Sequence, residues 1–81
     1  MRPDDVLQML RARPFQPFRI SMSDGQHYEV RHPEMAIVSR STVLVGIPGP
    51  HGPDGPVERV VTCALVHITR MEVLNGASSA T

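Results

Sequence analysis

Four histidines, one cysteine and eight acidic residues are the side chains of this 81-residue chain that could hold a metal or act in catalysis. The most suggestive spacing is that of His32 and Glu34, which flank Pro33. A structural zinc site needs four ligands, usually in close Cys or His pairs, and Cys63 is the single cysteine. We therefore expect no metal and no cofactor. A small metal-dependent enzyme using His32, Glu34 and His67 is the least favoured alternative.

Covalent and acid–base chemistry find no better support in the sequence. Cys63 lies in an apolar segment without a local base, which is typical of a buried thiol rather than a nucleophile. The glycines of segment 48–56 join two predicted strands, whereas a phosphate-binding loop joins a strand to a helix. We therefore expect a protein that is not an enzyme.

The arginines are the residues of this sequence that most suggest a binding function. All eight cations are arginines, and eight acidic residues balance them to a formal net charge of zero. A neutral chain lacks bulk attraction for nucleic acid, but arginines that converge on one rim would bind phosphate or carboxylate groups. The alternative, which we favour, is that each arginine pairs with a nearby glutamate on a solvated face. The candidate contacts for RNA or an acidic protein partner are Arg19, Arg31, His32, Arg40, His67 and Arg70.

The elements that position these side chains begin with a short N-terminal helix. Pro3 suits a first helical turn, and Pro14 disfavours helical geometry at the preceding residue. Between them, Val6, Leu7 and Leu10 form an apolar stripe. A helix of about ten residues is not stable alone, so this stripe must pack on the β-structure that follows.

Segment 18–30 predicts a β-hairpin, because apolar and polar residues alternate on both sides of a central Asp-Gly. A two-residue loop would place Ile20 opposite Glu29 and put a charge on the apolar face. A three-residue loop with Gly25 in the left-handed conformation keeps that face apolar. It predicts the pairs Phe18–Val30, Arg19–Glu29 and Ile20–Tyr28.

The rest of the chain is β-rich and interrupted by breaks. Pro33 ends the second strand at His32 and predicts a turn over 33–35. Residues 42–47 form a strand whose continuous apolar run predicts burial on both faces, and 57–65 and 68–74 form two more, separated by a one-turn break. Segment 48–56 holds four prolines and three glycines, which predicts an exposed, semi-extended loop.

The sequence thus predicts a mostly β protein with one N-terminal helix, followed by a five-stranded bent antiparallel sheet or small barrel. We expect one domain over residues 1–74 and a disordered tail over 75–81. Self-association would stabilise so small a core. The lack of a signal-like N-terminus and the single unpaired cysteine favour a cytoplasmic location.

This order of elements resembles the Sm-like fold, including the bacterial Hfq type, in which a helix caps a strongly bent five-stranded barrel. The residues that match the first Sm motif are Ile20, Met22, Asp24, Gly25, Tyr28 and Val30, and those that match the second are Leu65, Ile68 and Met71. The resemblance implies assembly into a ring and binding of RNA. The pattern RPFxPFRIxxSDGxxxxVRHPE also resembles short bacterial proteins that have no assigned activity.

The chain departs from the Hfq type where that family binds uridine-rich RNA. The lysine–histidine pair before the last strand is replaced by Leu65 and Val66, and His67 lies one position later. We therefore predict a non-catalytic, self-assembling β-module, a dimer or ring, with RNA as a candidate ligand. The alternative is a protein-interaction or regulatory module that acts through loop 48–56 or a free sheet edge, without nucleic acid.

Overall fold

The computed structural model describes residues 1–52 and 55–74 and confirms a mostly β protein with one N-terminal helix. Short 3-10 helices precede the third and sixth strands. The predicted tail over 75–81 lies outside the described residues. The elements are α1 (Pro3–Arg11), β1 (Phe18–Met22), β2 (His27–Val30), β3 (Ala36–Val38), β4 (Thr42–Pro48), β5 (Val57–Ala64) and β6 (Ile68–Val73).

The strands form two antiparallel three-stranded sheets, in the orders β2-β1-β6 and β3-β4-β5. The described strands do not close into a barrel. We expected about five strands, and the sixth is the three-residue β3. The chain passes from one sheet to the other through the 3-10 helix Pro33–Met35. β2 ends earlier than predicted, at Val30 rather than at His32.

The β1–β2 hairpin has the predicted register. Its pairs are Phe18–Val30, Arg19–Glu29 and Ile20–Tyr28. The Met22 N–H donates to the Gln26 carbonyl at 2.8 Å, which leaves a three-residue loop. Gly25 has a φ of +90°, and its N–H donates to the Met22 carbonyl at 3.1 Å. The left-handed glycine therefore fixes which side chains of the hairpin face inward.

Helix α1 begins at Pro3 and ends at Arg11, close to the predicted span. The Arg2 N–H donates to the Asp5 carboxylate at 3.1 Å, which satisfies one of the groups left open at the helix start. At the other end, the Arg13 guanidinium donates to the carbonyls of Leu10 (3.3 Å) and Ala12 (2.9 Å). Side chains thus pair with some of the open groups at each end of the helix, and its apolar stripe packs inward through Val6 and Leu10.

The core fills the space between the helix and the inner faces of the two sheets. Its members are apolar and less than a tenth exposed, namely Val6, Leu10, Phe18, Ile20, Val30, Ala36, Val43, Val45, Cys63, Leu65 and Ile68. Phe15 packs edge-on against Phe18, with ring centroids 6.2 Å apart. The predicted alternation in 18–30 therefore supplies one wall of this core, and β4 supplies the facing wall.

The prediction that segment 42–47 is buried on both faces holds fully for the core face and only in part for the outer face. Val43 and Val45 face the core and are buried, but Leu44 on the other face is only half-buried. Leu44 stands opposite Ile37 of β3, which is 64% exposed. The continuous apolar run is therefore explained by a second apolar surface, on the outer face of the β3-β4-β5 sheet, that the chain itself does not cover.

Loop 48–56 is more compact than the predicted semi-extended form. Pro48 belongs to β4, and the Gly49 N–H donates to the Pro56 carbonyl at 3.2 Å, which joins the two ends of the loop. The Gly52 N–H donates to the Gly49 carbonyl at 3.1 Å, so the chain turns there. Residues 53 and 54 lie outside the described part of the chain. The described loop therefore stays close to the end of the β4–β5 pair.

Across residues 1–52 and 55–74, no helix has the length and apolar character that crossing a membrane would require.

Candidate functional site

Three of the predicted contact residues lie on the outer face of the β2-β1-β6 sheet. Arg19 occupies the central strand, between Glu29 on β2 and Glu72 on β6. The Glu29 carboxylate accepts from Arg19 at 3.2 Å and from Arg31 at 2.7 Å. On the other side, Arg70 lies 3.5 Å from Glu72. The sheet therefore brings Arg19, Arg31 and Arg70 onto one surface and gives each of them a carboxylate partner.

The ion pairs on this face change the acidity of Glu29. Partial burial alone would raise the pKa of Glu29, but the hydrogen bonds and charges of Arg31 and Arg19 outweigh it, so the pKa is lowered. The carboxylate thus stays charged and offsets part of the positive charge of the two guanidinium groups. Arg19 Nε is buried and has no hydrogen-bond partner within the described residues. A surface paired in this way attracts a phosphate chain less than three unpaired arginines would.

The other two exposed candidates, Arg40 and His67, lie on neighbouring turns at one end of the sheets. Arg40 is in the turn between β3 and β4, and His67 ends the 3-10 helix Leu65–His67. The Leu65 N–H donates to the Ser41 carbonyl at 2.9 Å, which joins the two turns. His67 Nδ1 is 3.4 Å from the Ser23 hydroxyl. Arg40 forms no ion pair with any residue that the structure describes.

His32, the last predicted contact, is half-buried on the connection that leaves β2. It lies between Arg31 and the 3-10 helix Pro33–Met35, in extended backbone geometry. Within residues 1–52 and 55–74, no three His, Cys, Asp or Glu side chains come together closely enough to hold a metal ion. The described chain therefore does not assemble His32, Glu34 and His67 into a metal site.

Cys63 is the buried thiol that the sequence predicted, at 1% exposure on the core face of β5. Burial raises the pKa of the thiol, and the negative charge of Asp24 raises it further. A raised pKa disfavours the thiolate, which is the nucleophilic form.

A cleft of about 480 Å³ lies between β2 and the end of the β4–β5 pair. This volume is within the range of ligand-binding pockets in proteins, which span about 300–1,000 Å³. Its walls combine one aromatic ring, an apolar β4 end and two arginines. The lining residues are Gln26, His27, Tyr28, Glu29, Arg31, Ile47, Pro48 and Arg59.

The sequence indicates Arg59 only as one of several arginines at outward or strand-end positions, and it is not among the predicted contacts. It stands opposite Ile47 in the β4–β5 register, two residues before Val61 and four before the buried Cys63. Side chains two apart share one face of a strand, so Arg59 lies on the core-facing side of β5. Among described residues its guanidinium has no ion-pair or hydrogen-bond partner.

The outer face of the β3-β4-β5 sheet is a second exposed feature, and it is apolar. Val60 of β5 is 60% exposed and stands opposite Gly46, on the same face as Leu44 and Ile37. A groove of about 310 Å³ runs across this face. We call this surface the outer apolar face; its lining residues are Glu34, Met35, Ile37, Leu44, Gly46, Val57 and Val60.

Comparison of the chain with family models, with curated protein sequences and with solved structures gives no match.

Proposed function

We propose that this protein is a non-catalytic β-module that assembles with copies of itself through the outer apolar face and the adjoining edge of β5. The observation that carries the proposal is the exposure of Ile37 and Val60 around the half-buried Leu44, on a sheet face that the single chain leaves open. Contiguous exposed apolar surface typically marks an interaction site.

The strand edges support a second copy as the occupant. β5 and β6 are the outermost strands of their sheets, with eight and six residues, so each has one row of backbone groups without a strand partner. Such edges pair readily with another strand. Exposed valines also concentrate here, at Val57 and Val60 on β5 and at Val73 on β6. A second copy would satisfy the edge and cover the apolar face together.

On this proposal the protein is Sm-like in the arrangement of its chain. The N-terminal helix, the hairpin with its left-handed glycine and the 3-10 turn before the last strand are the features that support the relationship. The buried, unpaired Cys63 supports a cytoplasmic location, where thiols stay reduced.

The decisive measurement is the mass of the protein in solution, by light scattering and native mass spectrometry. We expect a dimer or ring at tens of micromolar, within the ordinary range of such interactions. Val60→Lys places a charge in the centre of the outer apolar face and should shift the population to monomers. Gln8→Lys adds the same charge on the exposed side of α1 and should leave the assembly intact.

A strict monomer at that concentration would refute the assembly. So would a wild-type oligomer that Val60→Lys leaves unchanged while Gln8→Lys disrupts it. Circular dichroism of both variants verifies that the β-structure is retained.

RNA binding is the second candidate function, and the contact between the two turns at one end of the sheets favours it. The bond from Leu65 to Ser41 holds the turn of Arg40 beside the turn of His67. Arg40 has no ion-pair partner among the described residues, so its guanidinium is available to a phosphate. Assembly into a ring would repeat this pair of turns around one rim.

RNA binding is tested with uridine-rich and adenine-rich oligonucleotides at low salt. We expect binding that weakens as salt rises, because phosphate contacts release counterions. Arg40→Gln should weaken it, whereas Arg11→Gln on α1 should not. No shift of either oligonucleotide at low salt would remove this function and leave the assembly proposal standing.

A further inference from the structure

The cleft between the two sheets adjoins the apolar core on its inner side and contains the charged Arg59 on its β5 side. On its inner side, Val61 and Cys63 of β5 face the core, and Arg59 is the next side chain on that face. Tyr28 faces it from the hairpin, where it stands opposite the fully buried Ile20. Apolar walls with one charged group at the end favour a ligand that is itself partly apolar and partly anionic.

The backbone of β2 is open towards the same cleft. Hydrogen-bonded and non-bonded pairs alternate along an antiparallel ladder. Since Met22 and Gln26 form a bonded pair, the next bonded pair is Ile20–Tyr28. His27 and Glu29 lie between these positions, so their N–H and C=O groups point away from β1. β2 is the outermost strand of its sheet, and both residues line the cleft.

The charges of the cleft favour a carboxylate. Its lining contains two arginines, Arg31 and Arg59, and one acidic residue, Glu29. Glu29 is already shared between Arg31 and Arg19. Arg59 has no partner within residues 1–52 and 55–74. An incoming acidic group would therefore meet unbalanced positive charge at the β5 side of the cleft.

From these three observations we propose that the cleft binds an extended peptide segment that adds to the free edge of β2 and carries an acidic side chain to Arg59. The peptide backbone pairs with the open groups of His27 and Glu29. Apolar side chains on the inward face of the peptide pack against Tyr28 and Ile47. Strand addition of this kind takes its affinity from the backbone and its specificity from alternate side chains.

This inference does not rest on self-assembly, because β2 and the outer apolar face belong to different sheets. A free carboxylate ligand would satisfy Arg59 but would leave the backbone of β2 unpaired. An inward-pointing charge on an edge strand also protects that strand from unwanted pairing. The experiment below distinguishes peptide addition to β2 from binding of a free carboxylate and from edge protection by Arg59.

The probe is the capped pentapeptide acetyl-Val-Thr-Asp-Thr-Val-amide, whose two valines and aspartate share one face of an extended strand. It is titrated into the full-length protein by calorimetry and by amide NMR. We expect saturable binding with a Kd between the micromolar range and about 1 mM, which is typical of short extended peptides. The amide signals of His27 and Glu29 should shift most. An analogue with lysine in place of aspartate should bind about tenfold more weakly, and so should Arg59→Gln with the original peptide.

Two controls make the result specific. Arg11→Gln removes an exposed cation on α1 and should leave the affinity unchanged. A peptide that is N-methylated at alternate residues cannot form the ladder and should not bind. Val60→Lys should retain peptide binding, which separates failure of this site from failure of the assembly.

The inference is overturned if the peptide does not bind at about 1 mM, a limit of roughly 4 kcal/mol in binding free energy. It is also overturned if the lysine analogue binds equally well, or if the N-methylated peptide binds as the parent does. Arg59→Gln protein that aggregates but binds the peptide with unchanged affinity would assign Arg59 to edge protection instead.

Discussion

Arg19 lies directly opposite Glu29 across the β1–β2 hairpin, and their side chains form an ion pair at 3.2 Å. The same carboxylate also holds Arg31 at 2.7 Å. One glutamate therefore joins the central strand of the sheet to the residue that follows β2. The register of the hairpin, set by the left-handed Gly25, decides that this charge meets arginines rather than the apolar face.

We predict that Glu29→Gln makes the protein less sensitive to acid. The pKa of Glu29 is lowered in the folded chain, so its stabilising effect is fully present above the ordinary pKa of glutamate. That effect is lost as the pH falls through the lowered folded-state pKa. The pair is half-exposed, so the loss should be about 1 kcal/mol or less.

Thermal unfolding at neutral pH and at pH values below the ordinary glutamate pKa measures this effect. The wild type should lose more stability between the two conditions than Glu29→Gln, and high salt should reduce the difference. Equal losses in both proteins would mean that the arginines give Glu29 no net stabilisation.

We predict that Gly25→Ala destabilises the protein by about 1–2 kcal/mol, through the backbone alone. Gly25 has a φ of +90°, and a Cβ there would meet nothing within 4 Å, so the cost is that of a left-handed L-residue. Gly25→Asn should recover part of the loss, because asparagine tolerates this conformation better. Denaturant unfolding of the three proteins tests the ranking, and equal stability of the alanine and asparagine variants would contradict it.

Two isoleucines provide a matched test of where the core lies. Ile20 is fully buried, whereas Ile37 is 64% exposed on the outer apolar face. Removing one methylene at a packed site costs about 0.5–1.5 kcal/mol, so Ile20→Val should lower the free energy of unfolding by that amount. Ile37→Val should change the stability of the monomer by less than about 0.5 kcal/mol. Similar losses at both positions would show that β3 packs inward.

Local rules were sufficient to predict the hairpin from the sequence. Loop length and period-two alternation act over a few residues, so the pairing of Ile20 with Tyr28 and the conformation of Gly25 followed directly. The helix span and the break before β6 were predicted for the same reason. The strand β3 was missed as a separate element because three residues give too little pattern to count.

Features that depend on contacts between distant strands could not be predicted from the sequence. Whether the two sheets close depends on how their edge strands approach one another, and no local pattern encodes that distance. The continuous apolar run of β4 was assigned to burial in the chain, although Leu44 faces outward. Of the predicted contact residues, Arg19, Arg31 and Arg70 lie on one sheet face. This arrangement follows from the register of β1 with β2 and with β6. Arg59 lines a cleft together with Tyr28 and Ile47. Because these residues come from different sheets, their proximity could not be predicted from the sequence.

Cys63 gives a prediction about chemical reactivity. The thiol is 1% exposed, and its pKa is raised by burial and by the charge of Asp24. Alkylation requires both access and the thiolate form, so folded protein at neutral pH should react with iodoacetamide only through opening of the β4–β5 pair. The Cys63→Ala/Thr62→Cys variant moves the thiol to the exposed outer face of the same strand and should react at least about a hundredfold faster. Mass spectrometry after timed quenching gives both rates, and comparable rates would mean that β5 does not shield its core-facing side.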